Sequence, residues 1–245
     1  MLEYPTRQLY VRISYTVIIC CNVLHAHCML NKTKVFDYAF LATGLLVQII
    51  TYWIAPSGVW SLISGLCGIC SVVLCAQGNI LYYIFGFAQV ITYTYLCVLE
   101  HFYAEIAMNI FYFVTMIYGV FVWRRQLNTG TEEKHKVQTL QLRRNTFVWL
   151  SVVCALLSAL CGWLLSRYTD DPQPYLDAFT TVPALFAQIL MILVYREQWY
   201  LWMVVNVLAF FMWLKAGDYC IAVQYLFWCA NCIYGYYHWT KALKG

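Results

Sequence analysis

Residues 146–166, TFVWLSVVCALLSALCGWLLS, contain no Lys, Arg, Asp or Glu, and Arg143, Arg144 and Arg167 bracket them. A spanning helix needs about 20 mostly apolar residues, because the hydrocarbon offers no water to satisfy a broken backbone. This stretch meets the requirement on its own. Outward from it, apolar runs bounded by charge, Pro or Gly recur at 102–123, 80–99, 58–76 and 35–54 on one side, and at 176–195, 199–214 and 219–239 on the other. That makes eight candidate spans. Residues 13–30 also lack formal charge but carry Asn22, His25 and His27 and three cysteines, so they either span or lie along the interface. The expected fold class is an all-α polytopic membrane protein.

Composition agrees with the spans. The chain is 63% apolar and 11% charged, whereas an ordinary soluble domain is about a quarter charged. Basic loops stay in the cytoplasm, and the loops alternate accordingly. One face holds Arg124, Arg125, Lys134, Lys136, Arg143 and Arg144, then Arg196, then Lys241 and Lys244. The other holds Arg167 and Lys215 with Glu100, Asp170, Asp171 and Asp218. The first face is expected to be cytoplasmic, with the C-terminus on it. The net charge of +4 follows from this topology and calls for no nucleic acid, since the basic residues lack a stacking platform.

The twelve cysteines lie mostly within spans and read as reduced, small hydrophobic residues. Cys67 with Cys70, and Cys229 with Cys232, have redox or metal spacing, but no basic partner lies nearby to activate a thiolate. His25, His27 and Cys28 point apart on a helix. No P-loop, nucleophile-elbow or zinc-protease pattern occurs, so neither catalysis, a metal nor a cofactor is expected.

The spans repeat. Tyr82, Phe85 and Gln89 are matched by Trp199, Trp202 and Asn206 at an offset of 117, and Tyr118, Gly119 and Trp123 by Tyr234, Gly235 and Trp239 at 116. An aromatic-rich chain also produces such matches by chance, but the two offsets agree within one residue. They suggest two parallel three-helix bundles joined by the span at 146–166. The expected division is 1–57 as an extension with one or two helices, 58–123 as the first bundle, 124–175 as a basic loop and linker helix, and 176–245 as the second bundle.

Spacings of three and four place Trp199, Trp202 and Asn206 on one helix face, with Trp213 further along. A carboxamide inside a span needs hydrogen-bond partners, so Asn206, Gln89, Asn109, Gln188, Gln224 and Asn231 should face the protein interior. They either glue helices together or bind a solute. Trp199, near a span end, also suits the interfacial aromatic belt. Mid-span positions contain no Lys, Arg or Asp, and Glu105 lies about one turn from the outer end of its span. An ion-coupled carrier or an anionic solute would require such groups. Aromatics with amides instead suit a flat, neutral or cationic ring carrying hydroxyls, as in a nucleoside or vitamin.

The run Glu197-Gln198-Trp199-Tyr200-Leu201-Trp202-Met203-Val204-Val205-Asn206 resembles the E-x-W-x-x-W-x-x-x-N segment of the PnuC family of nicotinamide riboside transporters. Asn79 with Phe85-Gly86, Tyr118-Gly119 before Trp123-Arg124, Asp177, Tyr225, Gly235 and Trp239 are similar to that family as well. The resemblance covers residues 59–242. It implies a seven-helix core of 3+1+3 arrangement, similar to SWEET proteins, in a cell inner membrane, often as a homotrimer. It also implies facilitated diffusion of nicotinamide riboside (vitamin B3), which a cytoplasmic kinase traps for NAD biosynthesis. Carried across, the substrate site comprises Trp202, Asn206, Gln89, Asn109, Tyr112 and Tyr225. Trp199, Gln188, Trp228 and Asn231 join it from span position and helical face. Thiamine or riboflavin, carried by relatives, is the alternative solute; a membrane metal or haem redox protein is the alternative of another class.

Overall fold

A computed structural model describes residues 33–54, 58–99, 101, 103–127, 136–170, 173–217 and 219–243. Residues 13–30, with His25, His27 and Cys28, lie outside the described residues. Among those described are eight helices: α1 (Thr33–Ile54), α2 (Val59–Ala76), α3 (Tyr82–Leu99), α4 (Tyr103–Arg125), α5 (Arg144–Tyr168), α6 (Pro174–Ile192), α7 (Gln198–Ala216) and α8 (Tyr219–Ala242). They match the eight apolar runs, with ends shifted by a few residues. Six of them, α1 to α6, are long and apolar enough to cross a membrane. Helices α7 and α8 have the length but carry the Trp, Tyr and amide side chains that lower apolarity.

Local chemistry sets several ends. Pro174 starts α6, where its missing N–H costs no hydrogen bond, and Gly217 closes α7 at φ 83°, a conformation that favours glycine. Sequential helices pack together from α1 to α4 and from α5 to α8. Two further seams join these groups: α2 lies against α8, and α4 against α6. Helix α1 packs on both α2 and α8, whereas α5 packs along α6 and meets α7 where Phe147 contacts Tyr200 at 5.7 Å.

An offset of 116 residues relates the two groups in detail. The turn after α2 has Gly78 at φ 68°, and the turn after α6 has Val194 at φ 63°. Gly78 N–H donates to Cys75 O at 2.9 Å and Val194 N–H to Met191 O at 3.0 Å; Asn79 N–H donates to Leu74 O and Tyr195 N–H to Leu190 O, both at 2.9 Å. Trp123 Nε1 donates to Met191 O at 3.1 Å, and its counterpart Trp239 Nε1 to Cys75 O at 3.0 Å. Each bond crosses a seam. The rings repeat too: Tyr83 meets Trp123 edge-on at 5.3 Å, and Trp199 meets Trp239 edge-on at 5.8 Å. This register corrects the offset of 117. Trp199 is equivalent to Tyr83 rather than Tyr82, and Asn206 to Val90 rather than Gln89.

At the end of the bundle that holds both turns, residues 136–142 form a strap. Val137 N–H donates to Gly78 O at 3.0 Å, Gln138 N–H to Gln126 O at 2.9 Å and Leu140 N–H to Val194 O at 2.8 Å. Thr139 Oγ1 donates to Trp239 O at 2.8 Å, and Leu142 N–H to Glu197 Oε2 at 3.0 Å. Glu197, 4% exposed, also accepts from Arg196 at 3.4 Å. A hydrogen bond to a buried charged group contributes about 1.5–3 kcal/mol. Glu197→Ala should therefore lower thermal stability in detergent by about 2 kcal/mol and raise amide exchange at Leu142; unchanged exchange there would contradict the strap's role.

Candidate solute site

The register brings the residues chosen on α8 into correspondence with Asn109 and Tyr112, chosen on α4, and with Thr115, which was not. Asn109, Tyr112 and Thr115 on α4 correspond to Tyr225, Trp228 and Asn231 on α8, each pair 116 residues apart. Spacing by threes keeps each trio on one helix face. Helices α4 and α8 do not pack directly on one another. Tyr112 and Tyr225 nevertheless lie within electrostatic reach of each other. Tyr225 meets Trp228 edge-on at 4.8 Å and accepts a hydrogen bond from Trp213. Glu105, in the first turn of α4, lies within electrostatic reach of Tyr93, Tyr112 and Tyr225.

The amides divide into satisfied and unsatisfied groups. Asn109 Nδ2 donates to Glu105 O one turn back at 2.7 Å. Gln188 Nε2 donates to Thr115 Oγ1 at 3.3 Å across the α4–α6 seam, and Gln188 also pairs with Tyr82. At the equivalent place on the other seam, Asn231 Nδ2 donates to Val72 O at 3.2 Å. Asn206, 7% exposed, donates from Nδ2 to Cys232 Sγ at 3.3 Å, linking α7 to α8. Gln89 on α3 lies over Gly68 of α2, where an added Cβ would sit 3.4 Å from its amide. Trp202 packs between both apolar clusters, and Gln224 is half-buried.

Trp228 Nε1 and Asn231 Oδ1 are both buried without a hydrogen-bond partner. Leaving a buried polar atom unpaired costs about 1–3 kcal/mol. Asn231 cannot relieve its oxygen by turning over, because Nδ2 is occupied by Val72 O. One turn of α8 therefore presents a free donor and a free acceptor. Further unpaired atoms, on Tyr83, Arg196, Gln198 and Trp199, belong to the strap end. Trp199 lies with them: it is 5% exposed, wedged against Trp239 and Gly235, and separate from the α4–α8 faces.

Sequence reasoning missed Thr115, Tyr82 and Cys232 as partners of chosen amides. The offset of 116 would have found Thr115 from Asn231. Cys67, Cys70, Cys229 and Cys232 are free thiols, and the described residues hold no group of three metal-ligating side chains. The trios with Trp202, Asn206, Gln89 and Gln188 combine aromatic faces, amides and phenols with no Lys or Arg. Such a set can stack on a flat ring and exchange hydrogen bonds with hydroxyl or amide groups.

A protein family described as nicotinamide mononucleotide transporter matches residues 58–241. The nicotinamide riboside transporter PnuC of Neisseria mucosa is 32% identical over 222 residues, covering 85% of this chain and 82% of that protein. The Haemophilus influenzae transporter of the same name is 32% identical over 214 residues, covering 86% and 92%. A crystal structure of the vitamin B3 transporter PnuC superposes with a TM-score of 0.73 at 28% identity, covering 85% of this chain and 92% of that one.

Proposed function

The chain belongs to the nicotinamide mononucleotide transporter family, with PnuC nicotinamide riboside transporters among its relatives, and from that premise we propose how its site handles the solute. The protein is a multi-pass membrane transporter of nicotinamide riboside and not an enzyme. The observation that carries the site is the pair of repeat-equivalent faces on α4 and α8, with Trp228 Nε1 and Asn231 Oδ1 of α8 buried without a hydrogen-bond partner. In our reading Tyr112, Tyr225, Trp228 and Trp202 hold the pyridinium ring, whose charge their faces attract. Asn231, Asn206, Gln89, Asn109 and Gln188 surround the polar groups. Trp199 acts from the strap end by holding Trp239 and α8 in place.

The absence of Lys and Arg from this set supports the riboside over the mononucleotide, whose phosphate would need a cation. It also supports facilitated diffusion, since Glu105, the acid that reaches Tyr112 and Tyr225, sits in the first turn of α4 rather than mid-span. We read the chain as a 3+1+3 core of SWEET type: 58–123 and 176–245 as bundles, 124–175 as loop and linker, and 1–57 as the extension. The 116-residue register and the two equivalent seams support that reading, with access alternating as the bundles rock about the site. Basic loops on one face support a cytoplasmic C-terminus in a cell inner membrane. A homotrimer, and a cytoplasmic kinase that traps the product by phosphorylation, complete the proposal.

Calorimetric titration of the purified protein with nicotinamide riboside, thiamine and riboflavin tests the solute assignment. The riboside is expected to bind most tightly. Tighter binding of either alternative, or no binding of the riboside, would overturn it.

A further inference from the structure

The two seams are equivalent in their direct bonds but not in what covers them. An offset of 116 carries Thr33–Ile54 onto residues 149–170, which overlap α5. Among the described residues helix α5 nevertheless packs along α6, meets α7 where Phe147 contacts Tyr200 at 5.7 Å, and does not reach α4, whereas α1 straddles the seam between α2 and α8. Gly44 of α1 makes the close approach: an added Cβ would sit 2.5 Å from Phe227 Cζ of α8 and 2.8 Å from Ile69 Cγ2 of α2. A bulkier residue there would lift α1 off both helices.

Aromatic and polar contacts continue the clasp. Phe40 of α1 stacks on Phe227 at 5.1 Å and on Tyr234 at 4.4 Å, and Phe36 meets Tyr234 at 5.8 Å. Tyr234 Oη donates to Asp37 Oδ1 at 2.6 Å, and Gln77 Nε2, at the end of α2, donates to Tyr234 Oη at 3.1 Å. His238 Nε2 lies 3.4 Å from the same carboxylate oxygen. One phenol thus ties α1, α2 and α8 together. A charge-assisted O–H···O⁻ bond is the strongest kind in this set.

The other seam has no such cover among the described residues. Tyr118, the counterpart of Tyr234, is 60% exposed where Tyr234 is 6% exposed. Leu156, the counterpart of Phe40, is 65% exposed where Phe40 is 2% exposed. Val153, the counterpart of Asp37, bears no charge and is exposed.

We propose that Asp37 and Tyr234 are positioning residues that fasten α1 as a brace across the α2–α8 seam, making it the fixed hinge while the α4–α6 seam parts during transport. The inference rests on the rocking-bundle reading above. It adds that α1, outside the family-matched residues 58–241, breaks the symmetry of the motion. With the brace loosened, the protein still binds its solute but spends its cycle in unproductive openings.

The experiment uses the full chain in proteoliposomes, with nicotinamide riboside uptake measured for wild type, Asp37→Leu, Asp37→Asn and Tyr234→Phe. Hydrogen–deuterium exchange of the wild type is followed with and without the solute. Asp37→Leu and Tyr234→Phe should each lower the maximal rate about tenfold with KM within about twofold. Asp37→Asn keeps an acceptor for the phenol and should restore the rate to within about twofold of wild type. Solute should alter exchange in α4 and α6 but not at Val72, Cys75 and Trp239 on the α2–α8 seam. Wild-type rates in both Asp37→Leu and Tyr234→Phe, or equal solute-dependent exchange at both seams, would overturn the brace. Asp37→Asn falling as far as Asp37→Leu, with rate, KM and melting temperature all affected, would do the same. If Asp37→Leu fails to fold, Asp37→Asn, Tyr234→Phe and the wild-type exchange pattern still decide. A wild-type protein that takes up no nicotinamide riboside would instead overturn the solute assignment.

Discussion

Asn231→Leu should raise the Kd for nicotinamide riboside by about 30-fold or more, corresponding to roughly 2 kcal/mol, while leaving the folded protein as stable as before. The reasoning rests on the two halves of one amide. Asn231 Nδ2 is used, donating to Val72 O, whereas Oδ1 is buried without a partner. Leucine removes the unpaired acceptor along with the donor. Val72 O loses a second bond on a residue within helix α2. The stability terms therefore oppose one another, and the binding term does not. Trp228→Phe keeps a ring and removes a donor that has no partner within the protein, so it should weaken binding by about tenfold at unchanged stability. Gln188→Leu makes the contrast, because it removes the bond that Thr115 Oγ1 accepts across the α4–α6 seam and the polar neighbour of Tyr82, so the melting temperature should fall. Titration calorimetry and thermal shift on the three variants check this. Equal losses of binding and stability in Asn231→Leu would assign the residue to helix gluing alone.

Gly235→Val should produce the largest loss of stability, about 3 kcal/mol or more, seen as a fall in melting temperature and in the yield of monodisperse protein. A Cβ at Gly235 would collide with the Trp199 ring. That ring cannot retreat, since Trp199 is 5% exposed and stands edge-on against Trp239, itself 1% exposed. The disturbance would pass to the Trp239–Cys75 bond and so to the α2–α8 seam. Gly119→Val should act in the same way through Tyr83 and Ile192. Gly68→Ala is the control: its Cβ would meet only ordinary contacts with the Gln89 amide, so the fold should persist. Similar melting temperatures for Gly235→Val and Gly68→Ala would show that the aromatic wedge yields more readily than its burial implies.

The repeat shows how far local pattern reaches. Matching aromatic, aromatic and carboxamide placed Gln89 opposite Asn206, because such a pattern tolerates a slip of one residue when 18% of the chain is aromatic. The register is decided in the turns, where Gly78 and Val194 share a left-handed backbone. A glycine announces that conformation and a valine conceals it. The strap at 136–142 was likewise legible only as a basic loop, because most of its hydrogen bonds use backbone groups, which every sequence possesses. Asp37 sat unremarked at a span end. Its importance comes from Tyr234, 197 residues away.

Apolar length and polar rarity are properties of contiguous residues, so the eight helices, their membrane setting and the short roster of interior amides follow from the chain read in one dimension. Whether an amide glues or binds is another kind of property. Asn109 is satisfied within its own helix, Gln188 by α3 and α4, and Asn231 only by half, through α2. Trp199, which reads as part of one stripe with Trp202, is taken into the strap-end core. These outcomes depend on which distant helix lies opposite a given face, and packing in three dimensions sets that, since a buried hydrogen bond requires its partner within about 3.5 Å and places no limit on separation along the chain.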